Sequence, residues 1–190
     1  MDYKKIKRGF SIIGTAYYLW EFQAPYYYDD IKFFKYLPWW MAGPLFFVAI
    51  RFIQNEIPET KLLKPLCIVM GILDLSVWLI ELLEIKIPFE LYTLQILSLV
   101  ISLYFNYQLL TNIFQFATKF DYEKTKGIKV CRNLQTIYVT AFALILPFYE
   151  EIAVNSLVLY FGWFSIIYII YSMTSFEKYL KYLQKQKQVV

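Results

Sequence analysis

Asp74, Trp78 and Glu81 recur at i, i+4 and i+7 inside G71-I-L-D-L-S-V-W-L-I-E-L-L-E84, part of an apolar run long enough to cross a bilayer. On a helix this spacing puts two carboxylates and an indole on one face, with Cys67 and Gly71 extending the same stripe. A carboxylate at the centre of a membrane helix costs ~2.5–3.5 kcal/mol on insertion scales, so Asp74 is expected to face a bundle interior or a water-filled cavity. There it suits the role of counter-ion to a cation, with Trp78 offering a π face to the same charge.

Other segments carry groups that suit the same chemistry. Gln95, Ser98, Ser102 and Asn106 fall at i, i+3, i+7 and i+11, which makes one polar face on a later helix. Ser11, Thr15, Tyr18 and Glu21 lie in the first apolar segment, and Asn155 and Ser156 open the last. Together they describe an acidic, aromatic-walled chamber that opens outward. Asp74 would be the counter-ion, with Glu81 and Glu21 an outer relay. Trp78 and Tyr18 would be cation–π walls, and Gln95, Asn106 and Asn155 hydrogen-bonding neighbours. The competing structural account is that hydroxyl and amide side chains between membrane helices act only as interhelical glue, worth ~0.6 kcal/mol each.

Composition narrows the chemistry further. Histidine is absent, which removes the commonest general base and transition-metal ligand. Cys67 and Cys131 form no CxxC pair, and the chain has no GxxxxGK[ST], HExxH or GxSxG. No cofactor, metal site or catalytic residue is therefore expected. A lipid-modifying enzyme using Asp74 and Glu81 as an acid/base pair is the least supported reading, because no nucleophile accompanies them.

These residues must be positioned by membrane helices. At 190 residues, 59% apolar and 21% aromatic, the chain is too oily for a soluble globule and has room for one domain. The sequence predicts an all-α integral membrane protein in which residues 1–190 form a single polytopic domain. Six spans are expected, at about 9–28, 37–53, 62–83, 89–117, 133–149 and 152–173, each near the ~20 residues that cross ~30 Å of hydrocarbon. Pro38, Pro65 and Pro88 belong to first turns, while Pro44 and Pro147 predict interior kinks. The basic stretch K4-K-I-K-R8 before an apolar run resembles a signal peptide. Pro25 after the only small residue near a cleavage point, and the aromatic Y26-Y-Y28, favour a retained span.

With six spans, sixteen of the 19 basic residues fall on one side, and only Lys32, Lys35 and Lys86 on the other. The positive-inside rule then makes both termini cytoplasmic. The net charge of +4 reads as a topology device and an attraction to anionic lipid at the cytoplasmic face, with no nucleic acid among the partners. The cell membrane is the expected location. Eight of the 15 acids lie in the outer half, where they would concentrate cations. In S175-F-E-K-Y-L-K-Y-L-Q-K-Q-K187, Phe176, Tyr179, Leu180 and Leu183 at helical spacing predict either a short interfacial helix or a continuation of the sixth span.

The function these residues favour is a small transport or substrate-capture protein for a cation or a cationic amine-bearing compound. The alternative is a non-transporting partner subunit or sensor, docking through the basic loop F116-A-T-K-F-D-Y-E-K-T-K-G-I-K-V-C-R132. Six spans, two cytoplasmic termini and this length are similar to the substrate-binding subunits of energy-coupling-factor vitamin transporters. That likeness is one of layout alone. G9-F-S-I-I-G-T-A-Y-Y lacks the small residues at fixed spacing with which such subunits commonly dock their partner, and the chain is not assigned to them.

Overall fold

A computed structural model describes residues 1–21, 38–83, 85, 88–120, 122–123, 125–145 and 152–189. Among them the chain is all-helical, with six α-helices and no strands: α1 (Tyr3–Glu21), α2 (Ala42–Ile53), α3 (Lys64–Leu82), α4 (Pro88–Thr118), α5 (Thr125–Ile145) and α6 (Ile152–Val189). Two 3-10 segments, Trp39–Met41 and Pro58–Leu63, precede α2 and α3.

Local chemistry sets several boundaries. The Asp2 carboxylate accepts the Lys5 N–H at 3.2 Å and so caps α1. Pro88 is the first residue of α4 and Pro65 the second of α3, where a missing N–H leaves no helical bond unmade. Pro44 does not produce an interior kink. The chain instead winds as a 3-10 turn over Trp39–Met41, and Pro44 falls in the first turn of α2. Pro25 and Pro147 lie outside the described residues.

Each helix packs on its sequence neighbours, and α6 packs back on α1, which closes a six-helix ring. The run is up-and-down throughout: Gly9 meets Ile53, Gly43 meets Gly71, Asp74 meets Ser98, Thr111 meets Arg132, Gln135 meets Ser165, and Tyr3 meets Glu177. The end of the ring where α1 begins is filled by aromatic rings. The Phe176 ring centroid lies 6.1 Å from Phe10, 6.0 Å from Phe116 and 5.0 Å from Tyr122. Higher up, Phe46 bridges Tyr17 at 5.0 Å and Phe105 at 4.9 Å, which ties α1, α2 and α4 across the centre.

The tail is not a separate surface helix. It continues α6 without a break to Val189, with Phe176 and Leu180 fully buried and the Tyr179 hydroxyl donating to the Phe120 carbonyl at 3.0 Å. The apolar spacing that suggested a lipid-facing side belongs to a face packed on the bundle. Helices α1 and α5 also begin well before their apolar runs. Lys126, Lys129 and Arg132 are compatible with helix, and hydropathy records burial in lipid rather than helical conformation.

Two helical stretches among the described residues, Pro58–Ile80 and Thr93–Thr118, are long and apolar enough to cross a bilayer, with mean hydropathies of 1.9 and 1.3. The apolar stretch Trp39–Ile53 is shorter. Within a largely apolar core the bundle also buries a set of polar side chains, and it leaves large apolar ones outside. Asp74, Ser98, Ser102, Asn106, Gln135 and Ser165 are buried, while Ile72, Val100, Tyr104, Ile137, Phe164 and Ile167 are exposed on the outside of the ring.

Candidate functional site

The polar face of α4 turns inward. Gln95, Ser98, Ser102 and Asn106 are all buried, and the opposite face, with Leu97, Val100 and Tyr104, is exposed. Across from it, α3 presents Asp74, which is wholly buried and accepts a hydrogen bond from the Ser98 hydroxyl. Its second carboxyl oxygen has no hydrogen-bond partner among the described residues. The Ser102 hydroxyl and both amide atoms of Asn106 are in the same condition. Unpartnered buried polar atoms cost roughly 1–3 kcal/mol each, so this arc of the ring holds considerable unmet hydrogen-bonding capacity.

A second carboxylate lies on the other arc. Glu21, at the end of α1, is buried and accepts from the Tyr138 hydroxyl of α5 at 3.0 Å, while its other oxygen has no partner among the described residues. This bond passes over Gly162 of α6. A Cβ at position 162 would overlap Glu21 Oε1 and sit 2.6 Å from the Tyr138 ring and 2.7 Å from its hydroxyl oxygen, so the missing side chain is the opening through which the two groups meet. One turn along, Ser165 donates to Gln135 Oε1 at 2.7 Å, leaving the Gln135 amide nitrogen unpartnered. The α1 side adds the unpartnered Tyr17 hydroxyl and Trp20 indole N–H.

At the end away from the aromatic plug, Trp39 and Val77 form a small core against which Trp40, Trp78 and Trp163 pack. Trp78 lies 6.4 Å from Trp40, and the indole N–H of each is unpartnered. Among the described residues no group of three or more Cys, Asp and Glu is placed to hold a metal ion.

The structure therefore sets Asp74, Glu21, Gln95 and Asn106 in the interior, with Trp78 partly buried beside Trp40. Tyr18 is not among them. It is 48% exposed on the outside of the ring with its ring 5.6 Å from Trp163, whereas Tyr17 is fully buried. Ser11 and Thr15 share the outer face with Tyr18. The side chains of Glu81 and Asn155 lie outside the described set. Sequence reasoning missed Tyr17, Gln135, Tyr138 and Gly162. The signal for Tyr17 was the stripe Ile6, Phe10, Ile13, Tyr17, Trp20, all of it buried. The signal for α5 was Cys131, Gln135 and Tyr138 on one face.

Tyr138→Phe is expected to destabilise the protein by about 1–3 kcal/mol, because it leaves the buried Glu21 carboxyl without its hydroxyl donor. Adding Glu21→Gln should recover part of the loss in a double-mutant cycle read by thermal unfolding. Strictly additive losses would mean that the two side chains do not interact.

Compared with protein-family models, curated proteins and solved structures, the chain matches none.

Proposed function

We propose that the chain is a six-span integral membrane protein with both termini cytoplasmic, and that the interior of its ring captures a cation or a cationic amine-bearing compound for transport. The observation that carries this reading is the buried Asp74 carboxyl, one oxygen bonded to Ser98 and the other without a partner among the described residues, in a bundle whose outside carries many large apolar side chains. Large apolar side chains spread around the outside of a ring are costly in water and at home in lipid, and a buried carboxyl and amides among the helices suit the same setting. In support of six spans, one helix overlaps each of the six apolar runs of the sequence, and the lysine and arginine bias would orient them.

A carboxyl with one oxygen unpartnered among the described residues, on the side of the ring where Ser102 and Asn106 continue the polar face of α4, is chemically suited to an ammonium group. An ammonium supplies donors to oxygens that otherwise have none. Trp78, one turn along α3 from Asp74, and Trp40 beside it offer indole faces for the same charge. The partner-subunit reading draws on Lys126 and Lys129, exposed at the opening of α5.

The test is a thermal-shift screen of inorganic cations, amines and cationic vitamins on the purified protein and on Asp74→Asn. A ligand that binds only the folded state raises the melting temperature in proportion to the logarithm of its concentration. Asp74→Asn is expected to fold, since the amide fills the same volume without charge, and to lose that stabilisation. Compounds that stabilise both proteins equally, or none that stabilises the wild type, would replace capture with the partner-subunit reading.

A further inference from the structure

The outer face of α1 carries polar groups that the interior does not use. Lys4, Lys7, Ser11, Gly14 and Tyr18 recur at three- and four-residue spacing, so they form one stripe along the helix. The stripe runs beside α6 and is the wall of a groove. One part, of about 360 Å³, lies between Gly14 and Tyr18 on α1 and Ile170 and Thr174 on α6, and is floored by Phe10 and Met173. A second part, of about 340 Å³, is bounded by Lys4, Lys7, Arg8 and Ile12. The second part is lined by α1 residues alone, and Lys7 and Ser11 are the border the two parts share. The groove is basic at the end with Lys4, Lys7 and Arg8, has Glu177 beside Lys7, and further along sets an apolar floor of Phe10, Ile170 and Met173 under a rim that includes Thr15, Tyr18 and Thr174.

The charges at the basic end stand in an unfavourable place. Lys4, Lys5, Lys7 and Arg8 occupy the first two turns of α1, at the positive end of the helix dipole, with no acidic residue in the first turn. Asp2 engages Lys5 at 3.3 Å. Glu177 of α6 lies 3.7 Å from Lys7 and also accepts the Tyr3 hydroxyl at 2.9 Å. Burial and that bond push the Tyr3 phenol up to about 12, so it remains a neutral donor to Glu177. Among the described residues, no ion pair is formed by Lys4 or Arg8. An anion held there would relieve the repulsion among Lys4, Lys7 and Arg8.

The length of the groove selects the kind of anion. From Lys4 to Tyr18 the stripe rises about 21 Å at 1.5 Å per residue. Half a bilayer with its headgroup region measures about 20–22 Å. We propose that this groove binds one anionic phospholipid of the inner leaflet, its phosphate at Lys4, Lys7 and Arg8 and an acyl chain along Gly14 and Ile170. The site rests on the membrane reading above and adds to it a lipid-specific seam between the first and last helices. Gly14 keeps the groove open: a Cβ there would meet only Ile170 Cγ1, at 3.5 Å, so the position tolerates a side chain that a lipid would not.

Native mass spectrometry of the full-length protein in detergent, titrated with dioleoyl phosphatidylglycerol or dioleoyl phosphatidylcholine, tests the site. One phosphatidylglycerol per chain is expected to be retained in preference to phosphatidylcholine. The triple variant Lys4→Gln, Lys7→Gln, Arg8→Gln is expected to weaken phosphatidylglycerol retention by about tenfold or more, since each cation near an anionic headgroup contributes about fivefold. Gly14→Leu should reduce retention with the charges intact. Ser11→Trp, at an exposed position lining both parts of the groove, gives the same reading should Gly14→Leu fail to fold. Lys126→Gln, Lys129→Gln should leave retention unchanged. Equal retention of the two lipids, displacement by soluble glycerol phosphate, or full retention by the groove-filling variants would each overturn the site. Phosphatidylcholine liposomes washed with alkaline carbonate separate the two levels of inference. Release of the protein removes the membrane reading and the site with it, whereas a retained protein that shows no lipid preference removes the site alone.

Discussion

Phe176→Ala is expected to cost about 3–5 kcal/mol of stability, the usual price of truncating a fully buried aromatic ring. The ring belongs to the charged C-terminal part of α6, yet it lies within 6.1 Å of Phe10 from α1 and 6.0 Å of Phe116 from α4. It also touches Phe120 and Tyr122 in the connection to α5, at 6.5 and 5.0 Å. Alanine would leave a cavity lined by rings that belong to two other helices and a loop, and such a site can collapse only partly. Leu180→Ala should act in the same direction, and Tyr182→Ala, at an exposed position on the same turns, should change stability by less than about 0.5 kcal/mol. Unfolding curves in a mild detergent separate the three. If the tail were an anchor lying flat on lipid, Phe176→Ala would alter membrane partition and leave the unfolding midpoint in place.

Gly43→Ala is expected to be the next most damaging substitution, although it adds one methyl group. A Cβ at Gly43 would stand 2.7 Å from the Gly71 nitrogen, 2.8 Å from the Cys67 carbonyl oxygen and 2.8 Å from the Gly71 Cα. All three are backbone atoms of α3, and none can rotate away as the end of a side chain would. The helices must separate, which undoes close packing along the whole crossing and costs about 1–3 kcal/mol, with larger residues costing more. Small residues at a crossing permit such approach, and interhelical van der Waals contact is what holds membrane helices together. Gly127→Ala is the control. Its nearest neighbours would be the Ser172 and Tyr168 hydroxyl oxygens, at 3.5 and 3.6 Å, and the change should be neutral or stabilising as alanine raises helix propensity. Equal melting temperatures for Gly43→Ala and the wild type would show that α2 and α3 do not cross at these glycines.

The number and order of the helices are legible in the sequence because each apolar run is bounded by a proline or by a charged cluster, and those punctuate helices directly. Their lengths are less legible. Apolarity marks what is buried or lipid-facing, so the basic first turns of α1 and α5 and the lysine-bearing end of α6 lie beyond the runs while remaining helical. The interior was half legible. The stripe on α4 and the position of Asp74 follow from periodicity together with the cost of burying a charge. Tyr18 and Tyr17 show where that argument stops, because polarity alone does not reveal which way a face turns. The polar stripe of α4 points inward, whereas that of α1 points outward and lines the groove. Glu21 could be suspected from its type, but its partner Tyr138 is 117 positions away, and no local pattern announces the gap at Gly162 that joins them.

The ring closes between α1 and α6, the two helices of the ring furthest apart in the sequence, and this sets an order of assembly. When α1 emerges, α2 is the first lateral neighbour available to it, and the close approach of Gly9 to Ile53 and Ala49 can form at once. The partners of its remaining side must wait: Tyr138 for Glu21, Glu177 for Tyr3 and Lys7, Phe176 for Phe10. Until α5 and α6 are synthesised the chain is an open arc with a buried-type carboxylate at its free edge. Closure of that edge converts a string of hairpins into one cooperative object. The α1–α6 seam is therefore the last surface to zip during biosynthesis, and a break there opens the ring while every sequential hairpin stays intact.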